Sequence, residues 1–251
     1  FSAQPEILEY MKGVVDKHDL RKKIRFNSDV VGLKFIEEHG LWEITTRDGK
    51  VTRVKLAISA TGPLNRPNTP KFKGMEQFAG KVFHSAEWDK SYDLRGKRVA
   101  VIGTGASSIQ IVPNIAPIVD QLTVFQRTAA WVQMRPDHAF PGFIKGMFKT
   151  LPALNKLYRE AIYWRNEFFG KAFVGGEMVN NLGSKLSLRH LKRQVHAPET
   201  RKKLTPNYKM GCKRILVSND YYPAFNRPNV HLETTPIQEW NAKGIITTDG
   251  K

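Results

Sequence analysis

Arg98-Val99-Ala100-Val101-Ile102-Gly103-Thr104-Gly105-Ala106-Ser107-Ser108 joins an apolar run to a glycine-rich turn of the form G-x-G-x-x-S. The run reads as a strand from Arg98 to Ile102, Gly103 to Ser108 as the turn, and Ala106 to about Ala116 as a helix that Pro113 should bend or shorten. Leu122 to Phe125 follows as a second strand, which completes a β-turn-α-β unit. In such a unit the first glycine, Gly103, permits the tight turn and the second, Gly105, lets backbone approach a pyrophosphate. The helix start offers free N–H groups and the positive end of its dipole. Thr104, Ser107 and Ser108 complete the candidate cradle, although Ser108 stands where glycine or alanine is usual and should loosen the helix–strand fit. At the end of the second strand an acidic residue would suit the ribose hydroxyls of NAD. This chain has Gln126-Arg127-Thr128 there, and a guanidinium suits a 2′-phosphate, so the expected nucleotide is NADPH, held by Arg127 and Thr128.

Outward from this unit the chain divides by pattern. Gln4-Pro5-Glu6 opens a helix whose apolar residues Ile7, Leu8, Met11, Val14 and Val15 carry it to about Lys17. Ile24 to Ile36, Leu41 to Thr46 and Arg53 to Ala60 read as a meander of strands with turn chemistry between them. The last piece, Leu56 to Ala60, is nearly all small or apolar and is expected to be a buried strand delivering Ala60-Thr61-Gly62 to a site. A proline-rich connector, Pro63 to Pro70, follows. From Phe140 to about His196 the spacing is helical and interrupted by Pro152, which reads as an insertion; strand patterning returns at Arg214 to Ser218, Asn229 to Glu233 and Ile245 to Thr247. Thr248-Asp249-Gly250 is expected to turn a hairpin after that last strand. No internal repeat or low-complexity segment is visible.

Between the A-T-G at Ala60 to Gly62 and the turn at Gly103 stands Phe78-Ala79-Gly80-Lys81-Val82-Phe83-His84-Ser85-Ala86-Glu87-Trp88-Asp89. Read as F-x-G-x-x-x-H-x-x-x-W-[P or D], it resembles the fingerprint of the flavin-dependent Baeyer-Villiger monooxygenases. Gly211-Cys212-Lys213-Arg214 ahead of Tyr221-Tyr222 and Asn226-Arg227-Pro228-Asn229-Val230 is similar to a second segment of that family. The resemblance implies FAD and NADPH as cofactors and a reaction that turns ketones into esters or lactones with O2. It implies that His84 and Trp88 belong to a linker needed for activity, that Lys213 helps Arg127 hold the 2′-phosphate, and that Arg214 faces the flavin. A permanent cation is the group needed to oppose negative charge that develops there.

The fold expected on this basis is α/β, a Rossmann-like NADPH domain with a helical insertion plus part of a second, FAD-binding dinucleotide domain. Residues 1–89 would give the partial FAD domain and linker fingerprint, 90–235 the NADPH domain with its insertion at about 140–205, and 236–251 the return toward the FAD domain. Members of the family carry an earlier G-x-G-x-x-G for FAD that this sequence lacks, so it is expected to be an interior fragment, inactive alone. Two alternatives stay open: a flavin-containing monooxygenase acting on nitrogen or sulfur, whose fingerprint lacks the Trp-[Pro or Asp] ending, and a non-catalytic NADPH-binding module.

Composition narrows the remaining classes. A net charge of +17 raises nucleic acid as a partner, but no zinc-finger spacing, RNP-type motif or basic zipper accompanies it. The excess lies mainly between Lys145 and Arg214, where it suits a solvated helical face or a multiply charged anion such as NADPH. One cysteine, Cys212, excludes an intrachain disulfide and a C-x-x-C pair, and no signal-peptide pattern is seen, so the cytoplasm is the expected setting. The uncharged run Val99 to Val119 is too polar and broken to span a membrane. No histidine spacing suggests a metal and no G-x-S-x-G suggests a serine nucleophile, so neither is expected. The oligomeric state and the identity of the ketone are not encoded in any motif.

Overall fold

A computed structural model of the chain describes residues 2–62, 64, 66–170 and 176–251, in two compact units, Phe1–Arg66 and Pro67–Lys251. In the first unit, helix α1 (Gln4–Lys17) starts with Pro5 in its first turn, a position where the missing N–H costs nothing. Strands β1 (Val30–Ile36), β2 (Leu41–Thr46) and β3 (Val51–Val54) follow as an antiparallel meander in the order β1-β2-β3. Strand β2 has the bounds expected of it, β1 is shorter than its apolar run, and β3 begins ahead of the Arg53–Ala60 run and ends early in it, at Val54. Leu20–Lys23 forms a 3₁₀ turn and Asn27 takes a positive φ of 52°, so the extended ladder begins only at Val30.

The run Leu56–Ala60 is not a buried strand. It has no sheet partner among the described residues, and Leu56 and Ile58 are 72% and 81% exposed. Composition alone gave it burial, but a strand is buried by neighbours on its edges and faces, and here the antiparallel ladder ends at Val54. Within this unit Thr46 is the single buried residue among those described, so the meander carries its apolar residues on open faces.

The second unit is built on the parallel sheet β4-β5-β8: β4 (Arg98–Ile102), β5 (Gln121–Phe125) and, later in the chain, β8 (Val230–Glu233). Helix α2 (Ser108–Ile115) crosses from β4 to β5 and keeps only eight residues, with Pro113 inside its last turn. Ile109, Val112 and Ile115 recur on one face of it. They pack with Leu122 and Val124, the inward residues of an alternating strand, into the main core. Burying such side chains stabilises by about 1.5–3 kcal/mol each. This is a Rossmann-like arrangement, with the turn at Gly103 at the carboxyl edge of the sheet.

After the short strand β6 (Val132–Gln133) the described residues form helices α3 (Gly142–Thr150), α4 (Pro152–Gly170), α5 (Glu177–Gln194) and α6 (Pro198–Leu204). Leu191, Val195 and Leu204 reach back into the core under the sheet. Strand β7 is only Leu216–Val217, paired in parallel with β6, rather than the whole Arg214–Ser218 run. Helix α7 (Tyr221–Ala224) then supplies buried Tyr221 and Tyr222. The Asn226-Arg227-Pro228-Asn229 motif that follows is a set of ties. Asn226 Nδ2 donates to Gln194 O (2.6 Å) at the end of α5, and Asn229 Nδ2 donates to Ala116 O (2.9 Å) and Val119 O (3.0 Å) beyond α2. Each satisfies carbonyls that a helix end leaves without an intrahelical partner.

The chain closes on β9 (Ile237–Asn241) and β10 (Gly244–Thr247), an antiparallel hairpin turned by Ala242-Lys243. Strand β9 was not expected, because Gln238, Glu239 and Asn241 dilute its apolar pattern to Ile237 and Trp240. Thr248-Asp249-Gly250 therefore follows the second strand of a hairpin already formed. A short structural repeat also emerges. Thr46-Arg47-Asp48-Gly49-Lys50 and Thr247-Thr248-Asp249-Gly250-Lys251 make the same turn, with Thr46 N to Lys50 O at 3.0 Å and Thr247 N to Lys251 O at 2.9 Å. In both, the threonine hydroxyl bonds the aspartate two residues on. The two copies share the pattern Thr-x-Asp-Gly-Lys, identical at four of five positions, but a match of five residues is too short to stand out in the sequence as a repeat.

Candidate functional site

Gly103 sits at φ 105°, a backbone region closed to side-chain-bearing residues, and its N–H still donates to Phe125 O (2.9 Å), so the turn leaves β4 while tied to β5. Thr104 Oγ1 donates to Thr128 O at 3.0 Å. That bond brings together the two elements identified separately in the sequence, the glycine turn and Gln126-Arg127-Thr128. Among the described residues the N–H groups of Gly105, Ala106 and Ser107 have no acceptor, and an added Cβ at Gly105 would meet nothing within 4 Å. Free donors at a helix start beside open space are the donor set that an anionic pyrophosphate requires, so these residues fit the nucleotide that the sequence implies. Ser108 lies beneath the turn with its hydroxyl buried and without a partner among the described residues, which places it in the helix–sheet contact rather than on the open side.

Gln126 is a residue whose work was not legible in the sequence. It is 6% exposed, its N–H donates to Glu233 O (2.8 Å) and its Nε2 donates to Lys203 O (2.7 Å), so it pins the end of α6 beside the end of β5. Arg127, next to it, is exposed. Lys203 Nζ donates to Leu232 O at 3.3 Å, so a basic helix end stands by the same corner of the sheet. Burial pushes the Glu233 carboxyl up, but hydrogen bonds from Thr235 and Thr234 and the charge of Lys203 outweigh it and hold the group below its usual range.

Lys213 is exposed and rests its ammonium 4.9 Å from the centroid of the Tyr208 ring. Burial pushes the Tyr208 phenol up, which keeps the ring neutral, and Tyr208 O accepts from Trp131 Nε1 at 2.9 Å. The lysine is thus set on a loop fastened to Trp131, four residues past Arg127. Arg214 is exposed just ahead of β7. Cys212 is a free, exposed thiol.

In the fingerprint, His84 is half-buried and its Nδ1 accepts the Ala86 N–H (3.1 Å), capping a 3₁₀ turn over Ser85–Glu87. In the neutral ring this leaves the proton on Nε2. Trp88 packs edge-on against Phe83, 5.1 Å between centroids. Asp89 accepts from Ser91 and pairs with Lys81 at 2.9 Å; the Ser91 hydroxyl first, then Lys81, hold its carboxyl down at about 2. Ala60, Thr61 and Gly62 lie in the other unit, exposed, with Gly62 in the left-handed region at φ 71°. Among the described residues no cluster of His, Cys, Asp and Glu is placed to hold a metal, and no helix is long and apolar enough to cross a membrane.

The flavin-binding monooxygenase-like family model matches residues 1–160. Over its full length the chain is 44% identical to a Baeyer-Villiger monooxygenase of Streptomyces coelicolor and 40% identical to one of Pseudomonas aeruginosa, covering 48% of each. It therefore spans about half the length of the curated relatives it matches. Among solved structures, cyclohexanone monooxygenase from Rhodococcus sp. Phi1 bound to NADP+ matches with a TM-score of 0.83 at 31% identity, over 100% of this chain and 54% of that one. The OTEMO complex with FAD and NADP matches with a TM-score of 0.85 at 30% identity, over 100% of this chain and 54% of the other.

Proposed function

The chain belongs to the flavin-binding monooxygenase-like family, and from that membership we propose that the complete enzyme is a Baeyer-Villiger monooxygenase that uses NADPH, FAD and O2 to convert a ketone into an ester or lactone. Residues 90–235 supply its NADPH domain, with helices inserted at about 140–205. Residues 1–89 supply part of the FAD domain and the linker, and 236–251 lead back toward the FAD domain. The observation that carries the nucleotide reading is the Thr104–Thr128 hydrogen bond, which sets the free N–H groups of the turn and Arg127 at one edge of the parallel sheet. The Baeyer-Villiger branch is supported by Trp88-Asp89 at the end of the fingerprint and by identity to Baeyer-Villiger relatives across the whole chain.

When bound, NADPH supplies the hydride, and FAD with O2 supplies the oxygen atom inserted beside the carbonyl. This chain's own groups bind and orient. Gly105, Ala106 and Ser107 offer N–H groups to the pyrophosphate, and the helix α2 dipole adds to them. Arg127 and Lys213 recognise the 2′-phosphate, the arginine by its planar fork and the lysine as a point charge. Arg214 opposes negative charge developing at the flavin with a cation that cannot lose its proton. His84 and Trp88 belong to the linker, and Ala60-Thr61-Gly62 to the FAD side. The ligands of the enzyme are a small ketone, O2 and the two nucleotides, with no nucleic acid and no inserted membrane segment. A reducing cytoplasm suits both the NADPH supply and the exposed Cys212 thiol.

The test is oxygenation of a ketone panel by the complete protein under ¹⁸O₂ with NADPH. One labelled oxygen in an ester or lactone is the expected product. Labelled sulfoxide or N-oxide with no ester from any ketone would assign the enzyme to the nitrogen- and sulfur-oxidising branch.

A further inference from the structure

Two positions of the fingerprint, Phe78 and Gly80, have no chemistry to offer, and the structure shows what they touch. The Phe78 ring meets the Trp240 ring edge-on with centroids 5.4 Å apart, while Phe72 stacks on the same indole at 6.0 Å and 24°. Trp240 is 7% exposed on β9. The backbones are laced as well: Trp240 N donates to Lys73 O (2.8 Å), Ala79 N donates to Ala242 O (3.1 Å), and Lys73 pairs with Glu239 at 2.7 Å. Gly74, at φ 76°, lies against the Trp240 carbonyl, where any Cβ would collide with that oxygen. Gly80 lies under the Phe78 ring, which an added Cβ would approach to 2.5 Å. Gly74 therefore lets the backbone close on the hairpin, and Gly80 leaves room for the Phe78 ring that meets Trp240.

We propose that Trp240 is a positioning residue for the fingerprint. Held between Phe72 and Phe78, it fixes the start of the Phe78–Asp89 segment, and through Gly80 and the following residues it sets where His84 and Trp88 stand. Its later residues are tied to one another by the His84–Ala86 cap, the Phe83–Trp88 contact and the Lys81–Asp89 pair, all within the segment itself. The clasp shares no residue with the glycine turn, so breaking it can alter the linker while leaving the nucleotide cradle intact. Trp240 Nε1 is buried and has no partner among the described residues, so the contribution of the indole is its shape and not its N–H.

The part of this inference that concerns turnover rests on the proposed Baeyer-Villiger reaction; the part that concerns the segment's placement does not. The test uses the complete protein with Trp240→Leu, Trp240→Phe and, as an independent break of the same clasp, Gly80→Ala. Amide hydrogen exchange is read at Ala79 and at Ala86 and Glu87, whose N–H groups bond His84. NADPH affinity is read by titration, and kcat and KM by ketone turnover. Trp240→Leu and Gly80→Ala should each speed exchange at all three amides by about tenfold or more and lower kcat by about tenfold, the scale of misplacing a group. NADPH affinity should change less than about threefold, and Trp240→Phe should recover most of both losses. Unchanged exchange at Ala86 and Glu87 in Trp240→Leu overturns the proposal whatever the enzyme's substrate, as does a Phe variant as damaged as the Leu one. Altered exchange with no ketone turnover even in the unsubstituted enzyme leaves the clasp standing and removes the assigned reaction.

Discussion

Gly105→Ala separates folding from nucleotide binding at one position. The residue lies outside the left-handed region and an added Cβ meets no protein atom within 4 Å, so alanine fits the free protein without strain. Replacing glycine at such a site stabilises by about 0.4–1 kcal/mol, because the unfolded chain loses freedom. The methyl group instead fills the space through which a pyrophosphate must approach the N–H groups of Gly105, Ala106 and Ser107. Losing one charge-assisted hydrogen bond there costs about 1.5–3 kcal/mol. At 1.4 kcal/mol per factor of ten, the NADPH Kd should rise by about ten- to hundredfold. Calorimetric titration with NADPH beside thermal unfolding of the free protein measures both. Gly103→Ala is the contrast: its φ of 105° makes alanine strained by about 1–3 kcal/mol, so stability and binding should fall together. A Gly105→Ala protein that melts no lower and binds NADPH as tightly as before would show that no pyrophosphate approaches this turn.

Three further outcomes follow from the same geometry. Arg127→Asp should lower the preference for NADPH over NADH by at least about tenfold, since it sets a repulsive charge against the 2′-phosphate; equal losses for both nucleotides in parallel titrations would move that phosphate elsewhere. Arg214→Ala in the complete enzyme should leave FAD bound and cut ester formation by about a hundredfold, with lysine restoring only part; unchanged ketone turnover would remove Arg214 from the chemistry. The Asp89 carboxylate, with its pKa lowered from 3.8 to about 2, contributes to the linker's order above its ordinary value and loses that contribution as pH falls through about 2. An NMR titration of Asp89 should therefore find it ionised at pH 3, and a midpoint near 3.8 would mean that the Ser91 and Lys81 contacts do not persist in solution.

The elements read best from the sequence were those whose pattern and partners lie close together. Arg98–Ile102, the turn and Leu122–Phe125 announce themselves because apolar alternation, glycines and helical spacing fall within thirty residues, and the observed strands agree to within one position. Leu56–Ala60 failed for the opposite reason, since burial of a strand is decided by neighbours that its own residues do not name. Strand β9 was missed because what makes it a strand is its pairing with β10 and the seating of Trp240 on Phe72 and Phe78, about 160 residues upstream. At the candidate site, the placement of Arg127 beside the glycine turn was legible by its offset from the glycines. Gln126 was not, because a buried glutamine that pins a distant helix end looks like any polar residue after a strand.

A crystal structure of the complete protein with NADP+ tests the central claim most directly. The account predicts the pyrophosphate over the N–H groups of Gly105 to Ser107 and the 2′-phosphate within hydrogen-bonding distance of the Arg127 guanidinium, with Lys213 on its other side. A nucleotide bound away from the carboxyl edge of the β4-β5-β8 sheet, with Arg127 left in solvent, would contradict it.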